Sequence, residues 1–126
     1  MAAISNVHAA SILNTSLRSG TYYLGLFLTD PTQNATGTEA SGGGYARKVI
    51  TFEAPALVNG KQQVKNQDAV DYGVITADIG TVSYWGIFDS QAGGNLLWFG
   101  SFARGKNVLN GDAITVSAGA IVCNLS

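Results

Sequence analysis

The hydrophobic positions from Thr21 onward follow the two-residue period of β-strands. The first run, residues 21–29, is apolar or aromatic on both faces, which is typical of a strand inside a sandwich. Asp30-Pro31 ends this run because proline cannot continue a hydrogen-bonded ladder. Further strand-like runs cover residues 45–52, 61–66, 70–76, 79–89, 96–103, 113–117 and 120–125. About seven or eight short strands at this spacing predict an all-β fold, as an antiparallel β-sandwich or jelly roll.

The connections between these runs carry turn chemistry. Asn59-Gly60 and Asn110-Gly111 are turn signals, because Asn and Gly tolerate positive φ angles. Residues 90–95 form a glycine-containing loop between the two runs richest in large apolar residues, which predicts a hairpin. The run 61–66 is polar and contains lysines, so we expect it at a sheet edge, where lysine discourages unwanted pairing.

A helical spacing is confined to residues 3–18. Its apolar face consists of residues three or four positions apart, namely Ile4, Val7, Ala10 or Ser11, and Leu13 or Leu17. The pattern predicts an amphipathic helix ended by Ser19-Gly20, with an extended arm that orders against a neighbour as the alternative. The expected organisation is therefore a helix or arm in residues 1–20 and a single β-sandwich domain in residues 21–126.

The composition indicates a surface that is partly covered in the working state. Of the 126 residues, 12% are charged, against about a quarter in typical soluble domains, while 46% are hydrophobic. A weakly charged exterior suits a subunit that packs against neighbours. The net charge is −1 and the basic residues are scattered, so no nucleic-acid partner is expected. No apolar run reaches the length that spans a bilayer, so no membrane partner is expected either.

Few residues are candidates for chemistry. His8 is the one histidine and has no acidic residue nearby in sequence, and Cys123 is interpreted as a small apolar group in the last strand. Four aspartates lie at strand ends or turns, where this side chain bonds backbone N–H groups: Asp30, Asp78, Asp89 and Asp112. No spacing favours a carboxylate pair or a calcium loop. We therefore expect no enzyme activity, no catalytic residue, no metal and no cofactor.

Aromatic residues in the predicted hairpin raise carbohydrate binding as one alternative. The residues concerned are Tyr84, Trp85, Phe88, Trp98 and Phe99. Strand alternation directs at least half of them inward, so core packing is favoured over a sugar-binding platform.

The stretch 37–47, Gly-Thr-Glu-Ala-Ser-Gly-Gly-Gly-Tyr-Ala-Arg, is the most distinctive of the chain. A phosphate-binding loop would place its glycines between a strand and a helix, whereas these precede a predicted strand. Their interpretation is backbone freedom and room for another chain to approach closely. The whole connection, residues 32–44, is long for a compact domain, and such loops are often ordered by a partner.

Several segments together resemble small structural proteins of tailed bacteriophages. The segments are Tyr-Leu-Gly-Leu-Phe at 23–27, Asp-Pro-Thr at 30–32, the stretch 37–47, Ala-Asp-Ile-Gly-Thr-Val at 77–82, Trp-Gly-Ile-Phe-Asp at 85–89, Gly-Gly-Asn-Leu-Leu at 93–97, Asn-Gly-Asp at 110–112 and Ala-Gly-Ala at 118–120. The resemblance covers about residues 21–125 and is weaker in the first 20. It implies a β-sandwich virion protein, in a family whose members are labelled tail-fibre-like or resemble head decoration (cement) proteins.

From this resemblance we expect a structural virion protein, and first of all a capsid decoration protein that stabilises the head by bridging capsomers. A tail-fibre or baseplate-associated module is the alternative, and a carbohydrate-binding module is less favoured. The implied partners are further copies of the chain, as a homotrimer, together with the major capsid protein or tail proteins. The implied location is the virion, assembled in the host bacterial cytoplasm.

Two elements are expected to make the subunit contacts. They are the loop 32–44 with the start of the following strand, and the segment 1–19. The contact residues assigned to them are Thr38, Glu39, Gly42, Gly43, Gly44, Tyr45 and Arg47 in the first, and Ile4, Val7 and His8 in the second.

Overall fold

A computed structural model describes residues 3–125 as one helix followed by nine strands. The elements are α1 (Asn6–Leu17), β1 (Tyr22–Phe27), β2 (Lys48–Ile50), β3 (Ala56–Val58), β4 (Lys61–Lys65), β5 (Val70–Val74), β6 (Gly80–Phe88), β7 (Leu96–Val108), β8 (Ala113–Val116) and β9 (Val122–Leu125). Every strand pairing between them is antiparallel. The predicted all-β class is therefore confirmed. The additional strand is β3, which is short and exposed throughout.

The strands form three sheets around a shared interior. Their orders are β2-β1-β6-β7, β3-β4-β9 and β5-β8. Side chains from all three sheets and from α1 belong to one hydrophobic core, for example Leu13, Leu24, Val64 and Val116. This arrangement is compatible with the sandwich-like fold expected from the strand pattern. Within residues 3–125, no helix is long and apolar enough to cross a membrane.

In the described part of the predicted segment 1–20, residues Asn6–Leu17 form a helix and not an extended arm, while residues 1 and 2 lie outside the described residues. Ser5 caps it by accepting a hydrogen bond from the backbone N–H of His8 at 3.2 Å. The buried residues are Ala9, Leu13 and Leu17, which lie four positions apart on one stripe facing β4 and β9. The predicted apolar face was wrong at Val7, whose side chain is 84% exposed. Two positions before Ala9, Val7 lies on the opposite side of the helix.

Strand β4 is central, so the predicted edge position was wrong. It pairs with β3 on one side and with β9 on the other. The two-residue turn Asn59-Gly60, with φ angles of 53° and 80°, joins β3 to β4 as its sequence predicts. The polar pattern of β4 reflects one solvent-facing side of its sheet, since Val64 on the other side is buried.

The longest strand, β7, forms one edge of the four-stranded sheet and contains a large bulge. Tyr84 pairs with Ser101 and Val82 pairs with Lys106, so residues 102–105 of β7 lie opposite Ser83 alone. A bulge of this kind bends a strand and changes the direction of its side chains. The strand runs five residues beyond the predicted end at 103 because β6 continues to pair with it after the bulge.

Candidate functional site

The glycine-rich stretch 37–47 begins as an extension of the four-stranded sheet. On one side, β1 pairs with β6 along most of its length, and on the other it pairs with β2 only over Tyr22–Leu24. The segment 38–40 continues this second side: the N–H of Leu28 donates to the carbonyl of Thr38, and the N–H of Ala40 donates to the carbonyl of Leu26, both at 2.8 Å. The stretch is therefore hydrogen-bonded to the sheet at its start.

Two tyrosine hydroxyls occupy the gap between β2 and segment 38–40. The hydroxyl of Tyr72 donates to the carbonyl of Leu24 at 2.6 Å, and the N–H of Leu26 donates to the hydroxyl of Tyr45 at 2.8 Å. The two rings stack with centroids 5.8 Å apart. Burial raises the pKa of both hydroxyls, so both remain protonated near neutral pH. The gap in the ladder is thus closed by neutral side-chain groups.

The hydroxyl of Tyr45 also begins a charged network. It donates to Oε2 of Glu39 at 2.7 Å, and the same carboxylate accepts two bonds from Arg47, from Nε at 2.9 Å and from Nη2 at 2.8 Å. The guanidinium is 3.5 Å from the ring centroid of Phe88. Only 8% of Arg47 is exposed, so this is a bidentate ion pair largely withdrawn from water.

Arg47 also holds the hairpin loop between β6 and β7. Its Nη1 donates to the carbonyl of Ser90 at 3.1 Å and to that of Gly93 at 2.7 Å. Neither contact could be predicted from the sequence, because 43 and 46 residues separate the partners. One side chain therefore connects the glycine-rich stretch to the hairpin loop 90–95.

Two paired glycines lie in the sheet below this network. Gly25 of β1 pairs with Gly86 of β6, and a Cβ on Gly25 would lie 3.0 Å from Oε2 of Glu39 and 3.2 Å from the Phe88 ring. The rings of Phe27 and Phe88 stack with centroids 5.9 Å apart. The absence of side chains on the two glycines gives the carboxylate and the rings room to approach the sheet.

Within the glycine triplet, only Gly43 makes a close approach. Its φ is 62°, and a Cβ there would lie 2.8 Å from Cγ2 of Ile75 and 2.9 Å from the backbone nitrogen of Ala77. Its carbonyl accepts a hydrogen bond from the N–H of Thr76 at 3.0 Å. The close approach at Gly43 is therefore to this chain's own residues, whereas the prediction concerned the approach of another chain. Gly42 and Gly44 face open space.

A shallow cleft of about 370 Å³ lies between the glycine-rich stretch and the hairpin loop. Its exposed walls are Ser41 and Gly42 on one side and Gln91 to Gly93 on the other, with the Glu39–Arg47 pair also lining it. The side chains in these walls are small or neutral, and the two charges compensate each other.

The structure divides the predicted contact residues between two surfaces. The seven loop residues lie together on the four-stranded sheet, where Arg47 is buried, Glu39, Gly43 and Tyr45 are half-buried, and Thr38, Gly42 and Gly44 are exposed. Of the N-terminal three, Ile4 is half-buried, whereas Val7 and His8 are exposed. The helix packs on β4 and β9, away from the loop. The sequence analysis did not assign Phe88 or the hairpin loop 90–95 to this site. The pairing of Glu39 with Arg47 did have a signal in the sequence, namely two opposite charges in a nearly uncharged stretch.

The four aspartates bond backbone N–H groups, as predicted. Asp30, Asp78, Asp89 and Asp112 accept from Thr32, Asn110, Asn95 and Leu109, respectively, at 2.8–3.0 Å. The bond from the backbone N–H of Asn95, supported by its side-chain amide, lowers the pKa of the Asp89 carboxyl. These carboxylates therefore have structural partners at turns.

Cys123 and the aromatic residues also have defined surroundings. Cys123 lies buried in β9, as predicted, and burial raises the pKa of its thiol to about 12. Trp85 and Phe88 are buried, and the indole N–H of Trp98 donates to the hydroxyl of Ser16 at 2.8 Å. Phe99 is exposed. Most of these rings therefore pack within the fold, which disfavours a continuous sugar-binding platform.

Residues 3–124 match the family model described as podophage GP4 fiber I protein gp80. The chain belongs to this family. No curated protein matches the chain. The match confirms the resemblance to phage structural proteins and extends it across α1, which the resemblance in the sequence covered less well. As a member of this fibre-protein family, the chain is a structural virion protein of a bacteriophage.

Proposed function

We propose that the protein is a subunit of the phage fibre that joins neighbouring subunits through its exposed surfaces. The observation that carries this proposal is the family match, which extends over residues 3–124 and names a fibre protein. In this role the chain performs no catalysis and binds no cofactor. Its work is to present a fixed surface, and the free energy of assembly comes from the area that neighbours bury.

The network around Arg47 supports this role. A contact loop that is ordered before assembly loses less conformational entropy when it binds. Arg47 holds the glycine-rich stretch to the hairpin loop, and Tyr45 holds it to β1. The exposed residues Thr38, Gly42 and Gly44 are therefore presented by a framework that is already fixed.

A homotrimer is part of the proposal. In a closed ring of three copies, each subunit contributes two different patches, one to each neighbour. The chain offers two separate candidate patches, the loop patch (Thr38, Gly42 and Gly44) and the helix patch (Val7 and His8). Val7 is a large apolar side chain that is 84% exposed on a helix whose other face is buried. Val7 is therefore the position of the helix patch at which an introduced charge would most directly disturb an apolar contact.

The trimer is tested by light scattering during gel filtration of the wild-type chain and of Val7→Asp. We expect a trimer for the wild type and dissociation for the variant, because burying the introduced charge is unfavourable. Val74→Asp is the matched control, since Val74 is 62% exposed on β5 and lies outside both patches. A monomeric wild type, or equal mass for all three proteins, would contradict the proposed contact.

Head decoration remains the alternative, because a weakly charged surface also suits a protein that bridges capsomers. The deciding experiment is to locate the protein in an image reconstruction of the particle and to compare particles made without it. The fibre proposal expects density on a fibre and loss or shortening of that fibre, with heads of unchanged heat resistance. Density on the head, with heads that rupture at lower temperature, would overturn it in favour of decoration.

A further inference from the structure

A second cavity lies between the β6–β7 pair and β8. Its volume is about 250 Å³. The bed consists of apolar side chains that are also part of the buried core: Leu26, Val82, Val108, Ile114 and Val116. These five side chains are 1–7% exposed, so the floor of the cavity is formed by the outermost atoms of the hydrophobic core.

The bulge of β7 supplies one wall of this cavity. Phe102 and Arg104 lie in the four-residue stretch 102–105 opposite Ser83, and Lys106 is the first residue paired again after it. All three line the cavity. Without the bulge, β7 would continue in register with β6, so the strand departs from regular pairing at the place where it borders the cavity.

The two charged residues that line this cavity are both cations, and the carboxylate of Asp71 lies outside the lining, where it accepts a hydrogen bond from the Thr115 hydroxyl at 3.5 Å. Arg104 and Lys106 are both exposed, and none of the residues that line the cavity is acidic. Across residues 3–125, the ion pair that the structure contains is Arg47–Glu39, so neither cation here is neutralised by a carboxylate. Two cations beside an apolar bed complement a ligand with one anionic end and one apolar end.

We infer that this cavity binds a small amphipathic carboxylate, with the apolar body on the core residues and the carboxylate at Arg104 and Lys106. The size is consistent with this class, because a cavity of about 150 Å³ accommodates a benzene ring, and the additional volume accommodates a short linker. A guanidinium and an ammonium both donate charge-assisted hydrogen bonds to a carboxylate. The site is independent of the proposed fibre role and shares no residue with the loop or helix patch.

The test compares two probes. One is 3-phenylpropionate, and the other is 3-phenylpropan-1-ol, which has the same apolar part but no charge. Amide chemical shifts of the full chain are followed by nuclear magnetic resonance during titration to about 10 mM, the range where ligands of this size bind measurably. We expect saturable shifts confined to β7, β8 and the residues around Val82. The alcohol should bind at least about tenfold more weakly.

Variants locate the site. The double variant Arg104→Gln/Lys106→Gln removes both cations from exposed positions and should weaken binding of the acid about tenfold while leaving the alcohol unchanged. Ala120→Phe, at an exposed lining position, should reduce binding of both probes by filling the cavity. Lys61→Gln, exposed on β4, is the control and should bind as the wild type does.

Each outcome bears on the inference. Equal affinity for the acid and the alcohol, shifts centred elsewhere, or no shift with the wild-type chain would overturn it. Circular dichroism checks that each variant has the wild-type thermal midpoint. If a variant does not fold, the comparison of the two probes on the wild-type chain still decides whether the cations contribute.

Discussion

Replacing Glu39 with Gln is the most direct test of the network that fixes the glycine-rich stretch. The substitution keeps the shape and leaves one oxygen to accept from Tyr45, but it removes the negative charge that faces the guanidinium of Arg47. The side chain of Arg47 is 9% exposed and that of Glu39 is 25% exposed. The variant therefore leaves a largely buried cation with two carbonyl acceptors and no counter-ion.

The expected cost follows from this geometry. Removal of one partner from a fully buried ion pair destabilises a protein by about 3–5 kcal/mol. Water reaches the exposed quarter of Glu39 and screens part of the interaction, so we expect about 2–3 kcal/mol for Glu39→Gln. For a chain of this length, that corresponds to a thermal midpoint about 10 °C lower.

The assay is urea unfolding at fixed protein concentration, because self-association would otherwise alter the apparent stability. Glu53→Gln is the matched control: it removes the same charge from an exposed side chain and should change the free energy of unfolding by less than about 0.5 kcal/mol. The double variant Glu39→Gln/Arg47→Met should lose less free energy of unfolding than the two single variants lose together, and the difference, which is the coupling energy of the pair, should be about 2 kcal/mol. Equal stability of Glu39→Gln and Glu53→Gln would refute the assigned role of the pair.

Three further predictions concern the same molecule. Gly43→Ala should lower the free energy of unfolding by about 2–3 kcal/mol, because both the positive φ and the short distance to Ile75 are unfavourable for a side chain. Gly44→Ala has the positive φ but open space around it, so it should cost about 1 kcal/mol. Equal losses for the two variants in urea unfolding would show that the close approach is unimportant. Tyr45→Phe leaves the backbone N–H of Leu26 in β1 without its partner and should cost about 2 kcal/mol of stability. Hydrogen exchange of the β1 amides should then be faster than in the wild type, and an unchanged exchange rate would contradict the prediction. Burial raises the pKa of Cys123 from 9.0 to about 12, so the stability that its neutral thiol contributes is complete below pH 9 and is lost toward pH 12, by up to about 1.4 kcal/mol per pH unit. In urea unfolding between about pH 8.5 and 10, the free energy of unfolding of Cys123→Val should therefore decline less steeply with pH than that of the wild type. Parallel curves for the two proteins would contradict the linkage.

The sequence predicted those parts of the fold that depend on neighbouring residues. Most strand runs, the Asn59-Gly60 turn and the aspartates at turns were confirmed, because alternation and turn chemistry are local properties. The run predicted at 45–52 was wrong at its start, since the strand there covers only Lys48–Ile50. The position of β4 was not predictable, since its partner β9 is almost sixty residues away and a polar pattern does not distinguish an edge strand from a central one with a solvated face. The buried face of α1 was predicted wrongly at Val7, because this short helix carries apolar residues on more than one side and the spacing alone does not show which side is buried.

The candidate site shows the same limit. Residues 37–47 stood out in the sequence and were interpreted as a loop that contacts a neighbouring subunit. Their contacts with carbonyls of the hairpin loop and with the ring of Phe88 could not be predicted, because these groups are distant in sequence. The close approach made by Gly43 could not be assigned to this chain or to another without the position of Ile75. The bulge of β7 was also hidden, because its residues continue a plausible strand pattern.

The hydroxyls of Tyr45 and Tyr72 have a consequence for the backbone groups of β1 to which they bond. An open stretch of strand edge offers its N–H and carbonyl groups to any other strand, and identical chains at one assembly site are the nearest candidates. In β1 the groups of Leu24 and Leu26 are occupied by Tyr72 and Tyr45, side chains that cannot propagate a ladder. The two side chains therefore protect this gap in β1 against invasion by a neighbour's strand.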